Sequence, residues 1–247
     1  MAVVARLHRI EAPGRMKPTA IAAVLLDMDG TLLDTEQVYL TSLITALEAY
    51  GYREATAICH AMIGLPGPEC EAMLRDHYGA DFPLADVNTT YAAHRDDLLA
   101  QGLPLKPGAP ELLEALHAAE CPMALVTSSS RRTADRYLEL AGIGHHFNAI
   151  LTRDDVARGK PHPDLYLLAA ERLRVQPQAC IAVEDSSPGV TAAHAAGATT
   201  LMVPDILQPA DDIRARCTAV LPDLHAVLAL LRERFGFGEA ADATSNA

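Results

Sequence analysis

Four short stretches of the 247-residue chain gather side chains able to do chemistry. They are DMDGT at 27–31, TSSS at 127–130, GKPHPD at 159–164 and EDSSPGV at 184–190. Asp27 and Asp29 are two apart, so on an extended chain both carboxylates point the same way. Gly30 then lets the backbone turn sharply. Adjacent carboxylates repel, and the pairing makes sense around a cation or a shared proton. The plainer reading, aspartates forming a turn at a strand end, is the alternative. Thr127, Ser128 and Ser129 offer hydroxyls and amides suited to phosphate oxygens, or simply a helix cap. Lys160, between Gly159 and Pro161, is better fixed than an ordinary solvated lysine. Glu184 and Asp185 form a second acidic pair of hard oxygen donors, the kind that Mg²⁺ takes together with water and substrate phosphate. An Asp/Ser helix cap before Val190 is compatible with that role.

The surrounding pattern says what must position these groups. Apolar runs at 21–26, 123–127, 149–152, 180–183 and 199–203 have the length of buried strands. Between them, 107–120, 131–141, 163–173 and 186–196 carry helical spacing and helix punctuation, with Gly142 and Gly197 as stops. Alternating strands and helices predict an α/β fold, a parallel sheet covered by helices on both faces. In such sheets ligands gather beyond the carboxyl ends of the strands, where all four stretches fall. Residues 36–101 break the rhythm. They read as successive helices at 37–50, 53–63, 68–78 and 84–100, inserted after the first strand like a lid.

Composition narrows the partners. The chain is 50% hydrophobic and 21% charged, without low-complexity tracts, which suits an ordered globular protein. A formal net charge of −12 argues against general nucleic-acid binding. No run approaches the roughly 18 to 20 apolar residues of a membrane span. The five cysteines are odd in number and widely spaced, as expected of reduced thiols in a cytoplasm. A monomer is the default expectation. Residues 1–19 and 236–247 read as tails, with Met16 an alternative start.

In this order the four stretches resemble the haloacid dehalogenase-like superfamily, and more narrowly its β-phosphoglucomutase-like phosphatase branch. The resemblance runs from about residue 20 to residue 234, with DMDGT its most specific piece. It implies a Rossmann-like core at 20–35 and 102–235 and an all-helical cap at 36–101. It also implies roles. Asp27 is the nucleophile that forms an aspartyl-phosphate, and Asp29 is first general acid and then general base. Thr127 and Ser128, beside Ser129, hold phosphoryl oxygens. Lys160 neutralises charge, and Asp27, the backbone carbonyl of Asp29, Glu184 and Asp185 ligate Mg²⁺. The implied substrate is a small phosphorylated metabolite.

Other chemistries compete. Dehalogenases of the superfamily use an aspartate nucleophile but need neither metal nor a second aspartate two residues on. Mutases of the branch carry a histidine soon after the first motif and an arginine in the cap loop. The matching stretches here, DTEQVYL and GLPGPEC, contain neither, which favours hydrolysis. Receiver modules phosphorylate an aspartate on a later strand than their paired acids, a poor fit to this order. His145–His146 read as a loop with one ring packed. His162, Arg131 and Arg132 read as solvated, with substrate contact as the alternative. Among Glu36, Arg75, His94 and Arg95 the sequence offers no choice of substrate contact.

Overall fold

The structure is a computed structural model that describes residues 21–63, 67–235 and 237. Apart from Phe237, the expected tails lie outside the described residues, as do residues 64–66 of GLPGPEC. Six strands form one parallel sheet: β1 Ala23–Leu26, β2 Met123–Val126, β3 Ala149–Leu151, β4 Cys180–Glu184, β5 Thr199–Met202 and β6 Ala219–Val220. Their spatial order is β3-β2-β1-β4-β5-β6. The five apolar runs became β1 to β5 with ends shifted by two residues at most. Leu224–Phe235 (α10) and the short α9, Asp211–Arg214, follow β5.

Period-two alternation explains how the sheet is covered. Val24 and Leu26 point to one face, where they meet helices α5 (Ala109–Ala118), α6 (Arg131–Ala141) and α10. Ala23 and Leu25 point to the other, against α7 (Asp164–Leu173) and α8 (Ser187–Ala196). All four β1 side chains are fully buried, so the central strand reads as a continuous apolar run. That buries the root of the strand carrying Asp27 from both sides.

Between β1 and α5 lie helices α1 (Thr35–Ala49), α2 (Ala55–Ala61), α3 (Gly67–Tyr78) and α4 (Leu84–Ala100). They enclose an apolar cluster of their own, including Ala46, Leu47, Leu74, Phe82 and Val87. Where the chain leaves and re-enters the sheet layer, its two passes pair. Leu33 and Leu105 form an antiparallel bridge, Asp34 N–H donates to Pro104 O (2.9 Å), and Lys106 N–H donates to Leu32 O (2.9 Å). The described residues contain no helix long and apolar enough to cross a membrane.

Truncating Leu25 to alanine should cost about 2–5 kcal/mol, since its cavity is walled by sheet and helices that cannot collapse. Urea unfolding checks this. A midpoint unchanged within error would show that the face covered by α7 and α8 is not the packed layer described.

Candidate active site

Asp27 follows the last residue of β1, and its N–H still donates to Val183 O of β4 (3.1 Å), so strand pairing continues to the edge of the site. β1 and β4 are neighbours where the strand order reverses, the position at which doubly wound sheets open a crevice. Glu184 is the last residue of β4 and Asp185 follows it. One carboxylate oxygen from each of Asp27, Glu184 and Asp185 lies within 4.8 Å of the others. The two acidic stretches, far apart in sequence, therefore meet.

Lys160 reaches into this cluster with a side chain only 3% exposed. Its Nζ donates to Asp27 Oδ1 (2.5 Å), Glu184 Oε1 (2.5 Å) and Val126 O (2.8 Å), using all three ammonium protons. Arg158 braces the Lys160 loop from outside through a two-pronged pair with Asp164 (3.0 and 2.8 Å). Glu184 has no exposed surface, and Tyr166 O–H and Ser186 O–H also donate to it (2.5 and 3.1 Å). Thr31 O–H donates to Asp185 Oδ1 (3.2 Å). Two glycines leave room for these carboxylates. A Cβ at Gly30, whose φ is +80°, would collide with Asp185, and one at Gly189 would overlap Glu184.

The electrostatics follow from burial. Loss of water raises the Asp27 carboxyl, Lys160 opposes this, Glu184 and Asp29 add to it, and the group is pushed up to about 8. Burial, reinforced by Asp27 and Glu184, raises Asp185 well above the carboxylate range. Burial works to lower Lys160, but Asp27 and Glu184 prevail and hold it charged. Three carboxyl groups face one ammonium, so ionising all of them leaves surplus negative charge out of water, and without a cation the cluster keeps protons instead. A hard divalent cation fits that surplus, and the donor set, all oxygen, fits Mg²⁺.

Asp29 stands apart from the cluster. Its Oδ2 accepts from Ser129 O–H (2.7 Å) and, more weakly, Thr127 O–H (3.4 Å), while its buried Oδ1 has no hydrogen-bond partner of good geometry. Burial raises its carboxyl, and Ser129 and the nearby Thr35 hydroxyl hold that rise back. Ser129 N–H donates to Thr127 Oγ1 (2.9 Å), fixing the turn. Ser130 caps α6 and Ser186 caps α8, so the capping alternatives are real, and they leave Thr127 and Ser129 beside Asp29. Ser128 is exposed at the mouth of the same turn.

Several candidates lie elsewhere. Arg131 is tied to the 150–155 loop through Ile150 O (2.7 Å) and Asp155 (2.9 Å). His162, Arg75 and Arg132 are exposed. His146 is buried against the His145 and His117 rings, while His145 is exposed. Sequence reasoning missed Tyr166, Thr31, Tyr39, whose hydroxyl hydrogen-bonds that of Tyr137 (2.8 Å), and Lys106, whose Nζ donates to Asp205 Oδ1 (2.6 Å). A buried tyrosine signals only that its hydroxyl needs a partner, not which one.

Comparison with known proteins gives concordant matches. Residues 21–197 match the family described as haloacid dehalogenase-like hydrolase. A Drosophila melanogaster protein named "Probable pseudouridine-5'-phosphatase" is 35% identical over 187 residues, 73% of this chain and 80% of that one. The "Phosphorylated carbohydrates phosphatase" of Thermotoga maritima is 32% identical over 175 residues, covering 71% and 81%. A HAD family hydrolase from Deinococcus radiodurans R1, solved with bound phosphate and sodium, superposes with a TM-score of 0.77 at 30% identity, covering 90% of this chain and 100% of that one.

The raised carboxyls make a prediction about metal and pH. Between the ordinary carboxyl value, about 4, and the Asp27 value, about 8, the metal-free folded protein keeps a proton that the unfolded chain has released. Its stability therefore falls as pH rises through that window, while Mg²⁺ needs the deprotonated groups. Adding millimolar Mg²⁺ should raise Tm more at pH 8 than at pH 5.5. An equal shift at both, or none, would count against a cation in this cluster.

Proposed function

The chain belongs to the haloacid dehalogenase-like hydrolases, and on that premise we propose that it is a Mg²⁺-dependent phosphatase of small phosphorylated metabolites, working through an aspartyl-phosphate. One observation carries the assignment of roles: two aspartates two residues apart sit in opposite surroundings. Asp27 is gripped by Lys160 among the buried carboxylates, whereas Asp29 faces Ser129 and Thr127 with one oxygen free.

In the first half-reaction, a carboxylate oxygen of Asp27 attacks phosphorus. The bond from phosphorus to the leaving alcohol breaks, and Asp29 passes its proton to that departing oxygen. The raised carboxyl of Asp29 suits a group that must begin protonated. In the second half-reaction, the Asp29 carboxylate takes a proton from water. The hydroxide attacks phosphorus, the bond to Asp27 breaks, and inorganic phosphate leaves. Lys160 holds Asp27 in place and offsets charge on the transferring group. Thr127 and the 128–130 turn offer hydroxyls and amides to the phosphoryl oxygens. Asp27, Glu184, Asp185 and the backbone carbonyl of Asp29 would hold Mg²⁺, which when bound offsets the repulsion between an anionic nucleophile and an anionic substrate.

The helices α1 to α4 act as a cap, at 36–101, over a core formed by 20–35 and 102–235. A cap shields the acyl phosphate from bulk water and restricts access to small esters. No disulfide joins any of the five cysteines, in keeping with the reducing cytoplasm where we place the enzyme, as a monomer.

A phosphate-release screen over a few dozen metabolite monoesters tests this reading, with EDTA abolishing turnover. Asp27→Asn should lose turnover essentially completely. Asp29→Asn should reduce it by about 10²-fold or more while metal binding persists. Robust turnover by Asp27→Asn would overturn the nucleophile. Interconversion of hexose 1- and 6-phosphates with little free phosphate would make the protein a mutase.

A further inference from the structure

Beside the carboxylate cluster lies a cavity of about 260 Å³, bounded by the start of α1, the end of α2, the start of α8 and the loop after β5. It touches both the helical insertion and the core, and Asp185 forms part of its floor. Asp185 has an oxygen within 4.8 Å of one on Asp27, so the cavity opens beside the attacking carboxylate. Its volume is at the small end for ligand pockets.

The wall has two kinds of surface. Ile63, Ile206 and Leu207 give an apolar side, with Leu207 56% exposed at the rim. Glu36, Asp185 and Asp205 give carboxylates. Among the described residues the lining contains no Lys, Arg or His. The nearest ammonium, Lys106, is engaged by Asp205 Oδ1 (2.6 Å) and Asp34 (3.6 Å). Asp205 Oδ2 is buried with no hydrogen-bond partner, and it crowds the same space above Gly30 as the Asp185 carboxylate. The potential here is negative enough to act on Glu36 itself. Its carboxyl is raised by burial, then by Asp205, Asp29 and Asp34, with Lys106 opposing.

Such a lining accepts some groups and repels others. Hydroxyls donate charge-assisted hydrogen bonds to carboxylates, and the carbon face of a sugar lies well on the apolar side. A second phosphate or carboxylate would bring more negative charge against Glu36 and Asp205, whose nearby ammonium, Lys106, is already engaged. Resting on the phosphatase reading above, we propose that this cavity receives a neutral polyhydroxylated leaving group, that it excludes substrates with a second anionic group, and that Glu36 is a specificity-determining residue.

The test compares kcat/KM for phosphate release from fructose 1-phosphate with fructose 1,6-bisphosphate, and from ribulose 5-phosphate with ribulose 1,5-bisphosphate. p-Nitrophenyl phosphate serves as a generic ester. The wild-type protein should prefer each monophosphate by about tenfold or more, the scale of one unscreened like-charge contact. Glu36→Gln should narrow that ratio several-fold, chiefly through a lower KM for the bisphosphate, and Glu36→Lys should bring it to one or below. Bisphosphates hydrolysed as well as monophosphates, or a ratio that neither variant moves, would overturn the charge filter. Turnover of p-nitrophenyl phosphate with none of the four sugars would overturn the polyol class. No phosphate from any ester would instead overturn the phosphatase reading beneath it.

Discussion

Like charges packed together out of water repel strongly, and the meeting point of β1 and β4 holds three carboxylates in that condition. What surrounds them is a set of answers to that repulsion. Lys160 places its ammonium between Asp27 and Glu184, and Tyr166 and Ser186 donate further hydrogen bonds to Glu184. Gly30 and Gly189 withhold side chains so that the carboxylates fit at all. A buried charge that loses its partner costs far more than the pair contributes, so these contacts stand or fall together. The sheet supplies the rigidity: β1 is buried on both faces, and its register with β4 fixes where each acid emerges.

The same charge logic separates the work of the molecule. On one side of Asp27, hydroxyls of Thr127 and Ser129 surround Asp29 and favour a carboxyl that can give and take a proton. Around Gly30, Glu36 and Asp205 extend the negative field into the cavity between the helical insertion and the sheet. Tyr39 of α1 hydrogen-bonds Tyr137 of α6 (2.8 Å), and Arg136 reaches Asp96 (3.6 Å), so insertion and core also touch outside the Asp27, Glu184 and Asp185 cluster.

Much of this was legible in the sequence, for identifiable reasons. The first five strands are apolar runs bounded by turn residues, and the acids at their ends stand out against that background. The helix at 131–141 matches in both limits because Ser130 caps its start and Gly142 stops it. β6 escaped notice because two half-buried residues at a sheet edge carry no periodicity. α2 is shorter than its apolar spacing suggests, covering Ala55–Ala61 rather than 53–63. Lys106 and Asp205 are 99 positions apart, and nothing local to either announces the other. Tyr166 reads as one more apolar position on its helix until Glu184 is placed beneath its hydroxyl. Local pattern shows which side chains face inward; only the folded topology shows which of them meet.

The paired passes at Leu33 and Leu105 have a further consequence. A detour in a chain whose entrance and exit are stitched to each other exerts little leverage on the layer from which it departs. Its length and contents can be exchanged while the strands beneath keep their alignment. In this fold the helical share of the selecting surface is thus mechanically insulated from the strand ends that carry the acids, and a transplanted roof would change that share while the core's side of the cavity stays in place.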